Sequence, residues 1–450
     1  MTAGPHPPDP GPLVYVLVIN WNGHAHLEEC FTSLLESTYE NVRFLLIDNA
    51  SADDSVQFTE DRFGADPRVE ILECPTNLGW SGGNNAGIEF ARERHADYIF
   101  LLNNDTTIDS KCIEHLVHHA KQNPALGALA PKILMYDCPN ILNSIGLQAS
   151  RIGAAWDIGI GRLDAPEWNQ EQDVLGVCGA ACFLRVEALA KTGLLPEDFE
   201  IYLDDLDLCL RIWNAGYTIR TCPEAVVRHK FSASMGEGKR AQRKYYLNTR
   251  NRLRVVLRNY PASSALPIGW AYDMGELRAI GRALLNADFA RIWAHKRSWL
   301  SGLLYLPTAM RERRRRKSLG IHTCRFWNLI SKHDSFFPGT EFPQSGWYVS
   351  IVEQGKTLRP MSKHATFEHE GGPLHLELVN RYPTLPTLAV SIRSEGELVA
   401  SLTSTEKPRA TLDLPKSTLH FEADRILKTE DTGERVDIGG WFAIESQEEV

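Results

Sequence analysis

No stretch of this 450-residue chain approaches the 18 or more consecutive apolar residues that a membrane-spanning helix needs. The longest candidates, Leu13 to Ile19 and the segment around Trp299 to Leu306, are far too short. Paired cysteines are missing as well. The nine cysteines, at 30, 74, 112, 138, 178, 182, 209, 222 and 324, contain no C-x-x-C, which argues against structural zinc and a disulfide framework. Reduced thiols and a cytoplasmic setting are expected. A basic, apolar leader is absent: five prolines in the first twelve residues predict a disordered leader over 1–12 and no signal peptide. Nor is there an excess of basic charge, since 48 Lys and Arg against 57 Asp and Glu leave a net −9, which excludes a surface given over to nucleic acid.

What remains is an ordinary globular composition, 43% hydrophobic and 23% charged, at about three times the length of a typical domain. Leu13 to Ile19 is an apolar, β-branched run closed by Asn20-Trp21-Asn22-Gly23, which predicts a buried strand ending in a loop. Leu27, Cys30, Phe31, Leu34 and Leu35 follow at helical spacing. The alternation continues through a strand at Val42 to Ile47, a helix near Asp54 to Phe63, a short strand at Val69 to Leu72, a helix at Asn84 to Arg94 and a strand at Tyr98 to Leu102. Such alternation predicts a parallel sheet covered on both faces. Beyond residue 110 the pattern loosens, with Val174 to Leu184 reading as a strand pair and Leu203 to Ala215 as a helix. Residues 262–330 are helical in pattern, and from about Trp347 short alternating segments predict an antiparallel β-sandwich.

Polar residues gather where each predicted strand ends: Asn20 and Trp21, Asp48 and Asn49, Asn77 and Gly79, Asn103 to Asp105. Ligands of open α/β sheets bind outside the carboxyl ends of the strands, so these four ends nominate one site. Asn103-Asn104-Asp105 would deliver one carboxylate and two amides, and Asp105 suits a divalent cation that neutralises a diphosphate. A plain turn or helix cap is the alternative. Asp204, Asp205 and Asp207 repel one another and raise the pKa of at least one, which makes a general base available, although a helix N-terminus also favours Asp. His229, at the end of another apolar run, is the best metal-ligand candidate among fifteen histidines. Asn77 to Gly87 is glycine-rich like a phosphate-cradling loop but matches no phosphate-binding signature.

Taken in order, Val18-Ile-Asn-Trp-Asn-Gly23, Leu46-Ile-Asp-Asn-Ala-Ser51, Asn77 to Gly87, Leu102-Asn-Asn-Asp105, Gly179-Ala-Ala, Tyr202 to Arg211 and His229 resemble a family 2 glycosyltransferase, in particular the bacterial rhamnosyltransferase-like branch. The resemblance implies an α/β GT-A catalytic domain over 13–260, with a mostly parallel central sheet that binds a nucleotide-diphospho-sugar. A helical segment with a basic cluster (261–335) and a β-sandwich accessory domain (340–450) would follow. It implies that Trp21 stacks on the nucleotide base, that Asp48 accepts from it, and that Asn20, Asn77, Gly79, Asn84, Asn103, Asn104 and Asp105 line the donor pocket. Mg²⁺ or Mn²⁺ would be held by Asp105, with His229 as a further ligand. Asp205 would be the catalytic base, supported by Asp204, where the family usually shows Glu-Asp. The first acid of the family's D-x-D motif is Asn103 here. Arg250, with Arg252, would face the phosphates or an anionic acceptor; a solvated helix face is the alternative.

The expected activity is inverting transfer from dTDP-L-rhamnose to a saccharide or lipid-linked saccharide in bacterial surface polysaccharide synthesis. UDP-galactofuranose, UDP-hexoses and GDP-sugars stay open as donors. The basic run Arg311 to Lys317, beside Trp293, Trp299 and Leu303 to Leu306, is compatible with an anionic membrane surface or with an ordinary charged helix end. A homo-oligomer stays open too. A nucleotidyltransferase would need Arg and Lys in a glycine-rich first loop, and Asn20 to His26 has neither. A decayed, non-catalytic scaffold would be expected to have lost Asp48, Asp105 and Asp205.

Overall fold

The computed structural model describes residues 11–136, 138–162, 164, 166–230, 239–261, 289–321, 324–331, 351–353, 356–361, 364–369, 371–379, 387–424 and 440–446. Most of the expected leader, 1–10, and the 262–288 part of the helical segment lie outside them. The chain divides into two compact units, one of residues 1–133, 144–158 and 166–334, the other of 134–143, 159–165 and 335–450.

The first unit opens with β1 (Val14–Asn20), α1 (His24–Leu35), β2 (Val42–Asp48), α2 (Ser55–Phe63), β3 (Val69–Glu73), α3 (Gly79–Glu93), β4 (Tyr98–Asn103), β5 (Thr106–Ile108), α4 (Cys112–Gln122) and β6 (Leu126–Met135). After β7 (Cys138–Ser144), β8 (Leu147–Ala149) and β9 (Ala155–Asp157) come β10 (Ala181–Arg185), α5 (Val186–Thr192), α6 (Asp204–Asn214), β11 (Thr218–His229), α7 (Lys239–Asn259) and α8 (Phe289–Ser318). The central sheet runs β3-β2-β1-β4-β10-β6-β11-β5. Its first four strands are parallel, and β10 lies antiparallel to β4.

The two-residue period of β1 explains why both faces are covered. Val14, Val16 and Val18 join Leu27, Phe31 and Phe100 in one buried cluster, whereas Tyr15 and Leu17 join Ile88, Ile99 and Leu101 in the other. Helix α3 starts at Gly79, so the glycine-rich stretch read as a loop is helical over most of its length. Glycine there serves close packing: a Cβ on Gly87 would lie 2.2 Å from Cδ1 of Ile47. The strand pair expected at Val174 to Leu184 is one strand, β10, preceded by isolated bridges at Asp173 and Gly176. Gly176 and Gly179 give that stretch no regular alternation of side chains to pair.

Apart from the segments 134–143 and 159–165, the second unit is antiparallel over its described residues. Its strands are β12 (Ile351–Glu353), β13 (Lys356–Met361), β14 (His364–His369), β15 (Gly372–Leu378), β16 (Ala389–Ser394), β17 (Glu397–Thr403), β18 (Arg409–Leu414), β19 (Ser417–Ala423) and β20 (Gly440–Ser446). They form one sheet in the order β12-β13-β20-β15-β18 and another in the order β14-β19-β16-β17. Leu374, Leu376 and Leu378 from the first, with Val390, Ile392, Leu419 and Phe421 from the second, share one core, as a sandwich requires.

Candidate active site

The parallel register of β1, β2 and β4 sets Asn20 opposite Asp48 and Ile19 opposite Asn103, so three of the expected strand ends share one rim of the sheet. Side chains then lock that rim. Asn20 donates to Oδ1 of Asp48 at 3.4 Å and accepts from Asn104 at 2.6 Å. A Cβ on Gly23 would sit 2.0 Å from the Asn104 amide and 2.5 Å from Oδ1 of Asn20, so any larger residue would displace this pair. Asp48 is buried and accepts from the Ser51 amide at 3.0 Å, while Trp21, 58% exposed, stands at the same rim with its ring open to solvent. Asn49 ties in the third strand end: its amide donates to Oδ1 of Asn77 and to the Gly79 carbonyl, and its Oδ1 accepts from the Leu78 amide.

Helix α3 carries the rim to the acidic pair. Trp80 donates to Asn103 at 3.1 Å and packs where a side chain on Gly179 would otherwise lie, 3.0 Å from its ring. Asn84 is fully buried, donates to the Trp80 carbonyl, and keeps a buried Oδ1 without a protein partner. Ser81 donates to Oδ2 of Asp204 at 2.6 Å. Asp205 accepts from the amides of Gly179 at 3.0 Å and Leu206 at 2.7 Å. Burial, then the negative charge of Asp204, push the Asp205 carboxyl up to about 8, against hydrogen bonds that pull it down. Burial also raises Asp204.

Asp207 behaves in the opposite way. It is fully buried, yet Arg258 and Arg211 hold its carboxyl below the ordinary range, with Arg211 Nε at 2.9 Å and Arg258 Nε at 3.1 Å. The three acids therefore divide: two are raised, and the third is a structural anion paired with Arg211 and Arg258.

The loop before α6 is strained, since Glu200, Tyr202 and Leu203 all have positive φ, at 67°, 73° and 63°. Helix α7 braces it. Asn251 donates to the carbonyls of Phe199, Ile201 and Tyr202, each at 2.9 Å. Arg250, expected at the phosphates, is buried beside Asn251, with its guanidinium bound to Glu200 and to the carbonyls of Asp198 and Phe199. Its donors are engaged in holding the turn that precedes α6, and Arg252 likewise donates to the Ile152 carbonyl.

Pairing of β11 with β5 sets His229 opposite Thr106, beside Asp105, and Nε2 of His229 lies 3.3 Å from Oδ1 of Asp105. Both are mostly buried. Burial raises the Asp105 carboxyl, but the His229 hydrogen bond and the charges of His229 and His26 outweigh it and leave it lowered. This donor set fits a divalent cation. Two bonds of about 2.1 Å at right angles span roughly 3 Å, close to the observed separation.

The structure thus brings together Asn20, Trp21, Asp48, Asn77, Gly79, Asn84, Asn103, Asn104, Asp105, Asp204, Asp205 and His229, and places Arg250 behind them. Sequence reasoning missed Trp80 and Ser81, hidden inside the glycine-rich stretch, and Asp157. Asp157 comes from an irregular region with no pattern to flag it; burial raises its carboxyl, and its charge in turn raises Asp205.

Residues 15–190 match the family model described as Glycosyl transferase family 2. Over those residues, somewhat under half of its length, the chain is similar to family 2 glycosyltransferases. The matched segment holds the strand-end rim and Gly179, whereas Asp204, Asp205 and His229 lie beyond it. The chain is similar to a glycosyltransferase of Haemophilus influenzae, 30% identical over 112 residues, which are 25% of this chain and 44% of that one. The chain thus spans less than half of that relative's length. It is also 26% identical over 244 residues to the N-acetylglucosaminyl-diphospho-decaprenol L-rhamnosyltransferase of Mycobacterium tuberculosis, covering 49% of this chain and 77% of that one. Among solved structures, GalNAc-T7 with UDP, GalNAc and Mn²⁺ aligns over 56% of this chain and 48% of its own, at 14% identity and a TM-score of 0.46.

Proposed function

We propose that the chain is a metal-dependent, inverting glycosyltransferase that takes a sugar from a nucleotide-diphospho-sugar, dTDP-L-rhamnose in the first instance. The acceptor is a saccharide or lipid-linked saccharide of a bacterial surface polysaccharide. One observation carries the chemistry: a carboxyl pushed up to about 8 and fixed by two backbone amides lies beside Gly179, against which Trp80, the hydrogen-bond partner of Asn103, also packs. A carboxylate of raised pKa is a stronger base than an ordinary one at neutral pH.

In this reading the base stacks on Trp21 and is held by Asp48, and the diphosphate lies along Asn77, Gly79 and Asn103 to Asp105. Asp105 and His229 would hold a divalent ion, Mn²⁺ or Mg²⁺, whose chemistry is to neutralise charge on the departing diphosphate. Asp205 accepts the proton of the acceptor hydroxyl as its oxygen bonds to the anomeric carbon. The bond from that carbon to the diphosphate oxygen breaks with its electron pair, and one displacement inverts the configuration. Ser81 holds Asp204 against the base, and Asp204 keeps the pKa of Asp205 high.

Rhamnose is preferred because the matched mycobacterial relative is named as a rhamnosyltransferase. A thermal-shift panel of dTDP, UDP and GDP, each as diphosphate and sugar conjugate and each with and without Mn²⁺, tests the reading, because a ligand of the native state stabilises it by mass action. A shift with dTDP and dTDP-rhamnose that needs Mn²⁺ is expected. A shift with UDP- or GDP-sugars alone would replace the donor and leave the chemistry standing. No shift with any nucleotide would favour a non-catalytic scaffold. Membrane contact rests on a different element, helix α8.

A further inference from the structure

Helix α8 is amphipathic in the wrong sense for a soluble surface helix. Such a helix normally turns its apolar stripe to the core and its polar face to water. In α8 the face packed on α7 is small or polar. Ser298 is fully buried and donates to the Tyr246 carbonyl, a Cβ on Gly302 would lie 2.0 Å from Leu253, and the hydroxyl of Tyr305 accepts from Arg258 at 2.9 Å. Further along, Arg313 donates to the carbonyls of Leu257 and Tyr260, and Arg316 to Asn259. The outward face is apolar: Trp293, Leu300, Leu304 and Met310 are 67%, 54%, 73% and 52% exposed, and Trp299 and Leu303 flank them.

Cations bracket that face. Lys296 and Arg297 stand at its start, and Arg311, Arg314 and Lys317 continue the same outward stripe past its end, all exposed. The helix holds nine Lys and Arg against one acid, Glu312, in a chain whose net charge is −9. No helix among the described residues is long and apolar enough to cross a membrane, so the helix can lie on a bilayer but not span one.

We propose that the outward face of α8 docks on an anionic lipid bilayer, with Trp293, Trp299, Leu300, Leu303 and Leu304 entering the interface and Lys296, Arg297, Arg311, Arg314 and Lys317 at the headgroups. Charge selects this occupant. A second copy meeting the same face about a two-fold axis would set like cations against one another, whereas an anionic surface neutralises them all. Long basic side chains flanking an apolar band are the arrangement of interfacial helices. The inference does not depend on glycosyl transfer, since it concerns a helix outside the site.

The test is co-sedimentation of the full chain with sucrose-loaded vesicles of phosphatidylcholine alone or mixed with phosphatidylglycerol, at low and high salt. Binding to the anionic vesicles is expected, weakened by salt and slight on the neutral ones. The doubly substituted L303S/L304S chain should lose roughly tenfold or more in partitioning, and R311E and R314E about fivefold or more each, with circular dichroism and nucleotide-induced stabilisation unchanged. Failure to bind anionic vesicles would overturn the proposal, as would undiminished binding by L303S/L304S. Self-association that disappears in L303S/L304S, without lipid binding, would make the face an interface between copies and overturn it too.

Discussion

Asp207 is the anion on which three helices close, and its removal is expected to destabilise the first unit strongly. Its Oδ2 accepts from Arg211 Nε at 2.9 Å. Its Oδ1 accepts from Asn259 at 2.7 Å and faces Arg258 Nε at 3.1 Å. Arg316, also buried, adds a further charge and bonds Asn259 at 2.7 Å. Asp207→Ala therefore leaves buried guanidiniums of α6, α7 and α8 without their counter-ion. Breaking a buried pair from one side costs about 3–5 kcal/mol, because the remaining charge is uncompensated. In urea, with slopes of about 1–3 kcal/mol per molar, the unfolding midpoint of the first unit should fall by at least about 1 M. The sign with pH follows from the lowered carboxyl. The contribution is fully present above the unfolded value near 3.9 and is lost as pH falls through the lower folded value, so wild type and D207A should converge in acid. A loss under about 1 kcal/mol at neutral pH, or a gap that did not close in acid, would refute the network as a source of stability.

Other outcomes follow from the site. Asp204→Asn keeps an acceptor for Ser81 but removes the charge that raises Asp205, so the alkaline-rising limb of the rate profile should move down by about one pH unit or more, measured as kcat/KM against pH. Trp21→Ala should leave the fold intact and weaken nucleotide binding by about 1–3 kcal/mol, the usual worth of one base stacked on an aromatic ring, as read by calorimetry. His229→Ala should raise the Mn²⁺ concentration needed for donor-induced stabilisation, and Asp105→Ala should abolish the metal dependence of that shift; a metal response unchanged in both would remove these residues as ligands.

The parallel half of the sheet was legible because its strands are buried on both faces, and runs such as Leu13 to Ile19 have no soluble alternative to a covered strand. The rim was legible for a related reason: Asn20, Asp48 and Asn103 are polar residues directly following apolar runs, and register then makes neighbours of them. What escaped depends on distant partners. Asp207 reads as one of three equivalent acids until Arg258 and Arg316, about fifty and one hundred residues away, are seen to surround one of them. Arg250 reads as a phosphate ligand until Glu200 and the strained turn after it are seen to occupy its donors. The helix at Gly79 was hidden because glycine disfavours helices in isolation, and only contact with Ile47 explains its presence at 87. The segments 134–143 and 159–165, which group with the second unit, carry no local signal of that association.

The most direct measurement is transfer from dTDP-L-rhamnose, with Mn²⁺, to a lipid-linked saccharide acceptor by wild type and Asp205→Asn side by side, with dTDP binding measured in both. The predicted result is product of inverted anomeric configuration from wild type, and dTDP binding retained but transfer reduced by about a hundredfold or more in D205N, the usual scale of a lost general base. Full transfer by a folded D205N would contradict the assignment of Asp205 as the base.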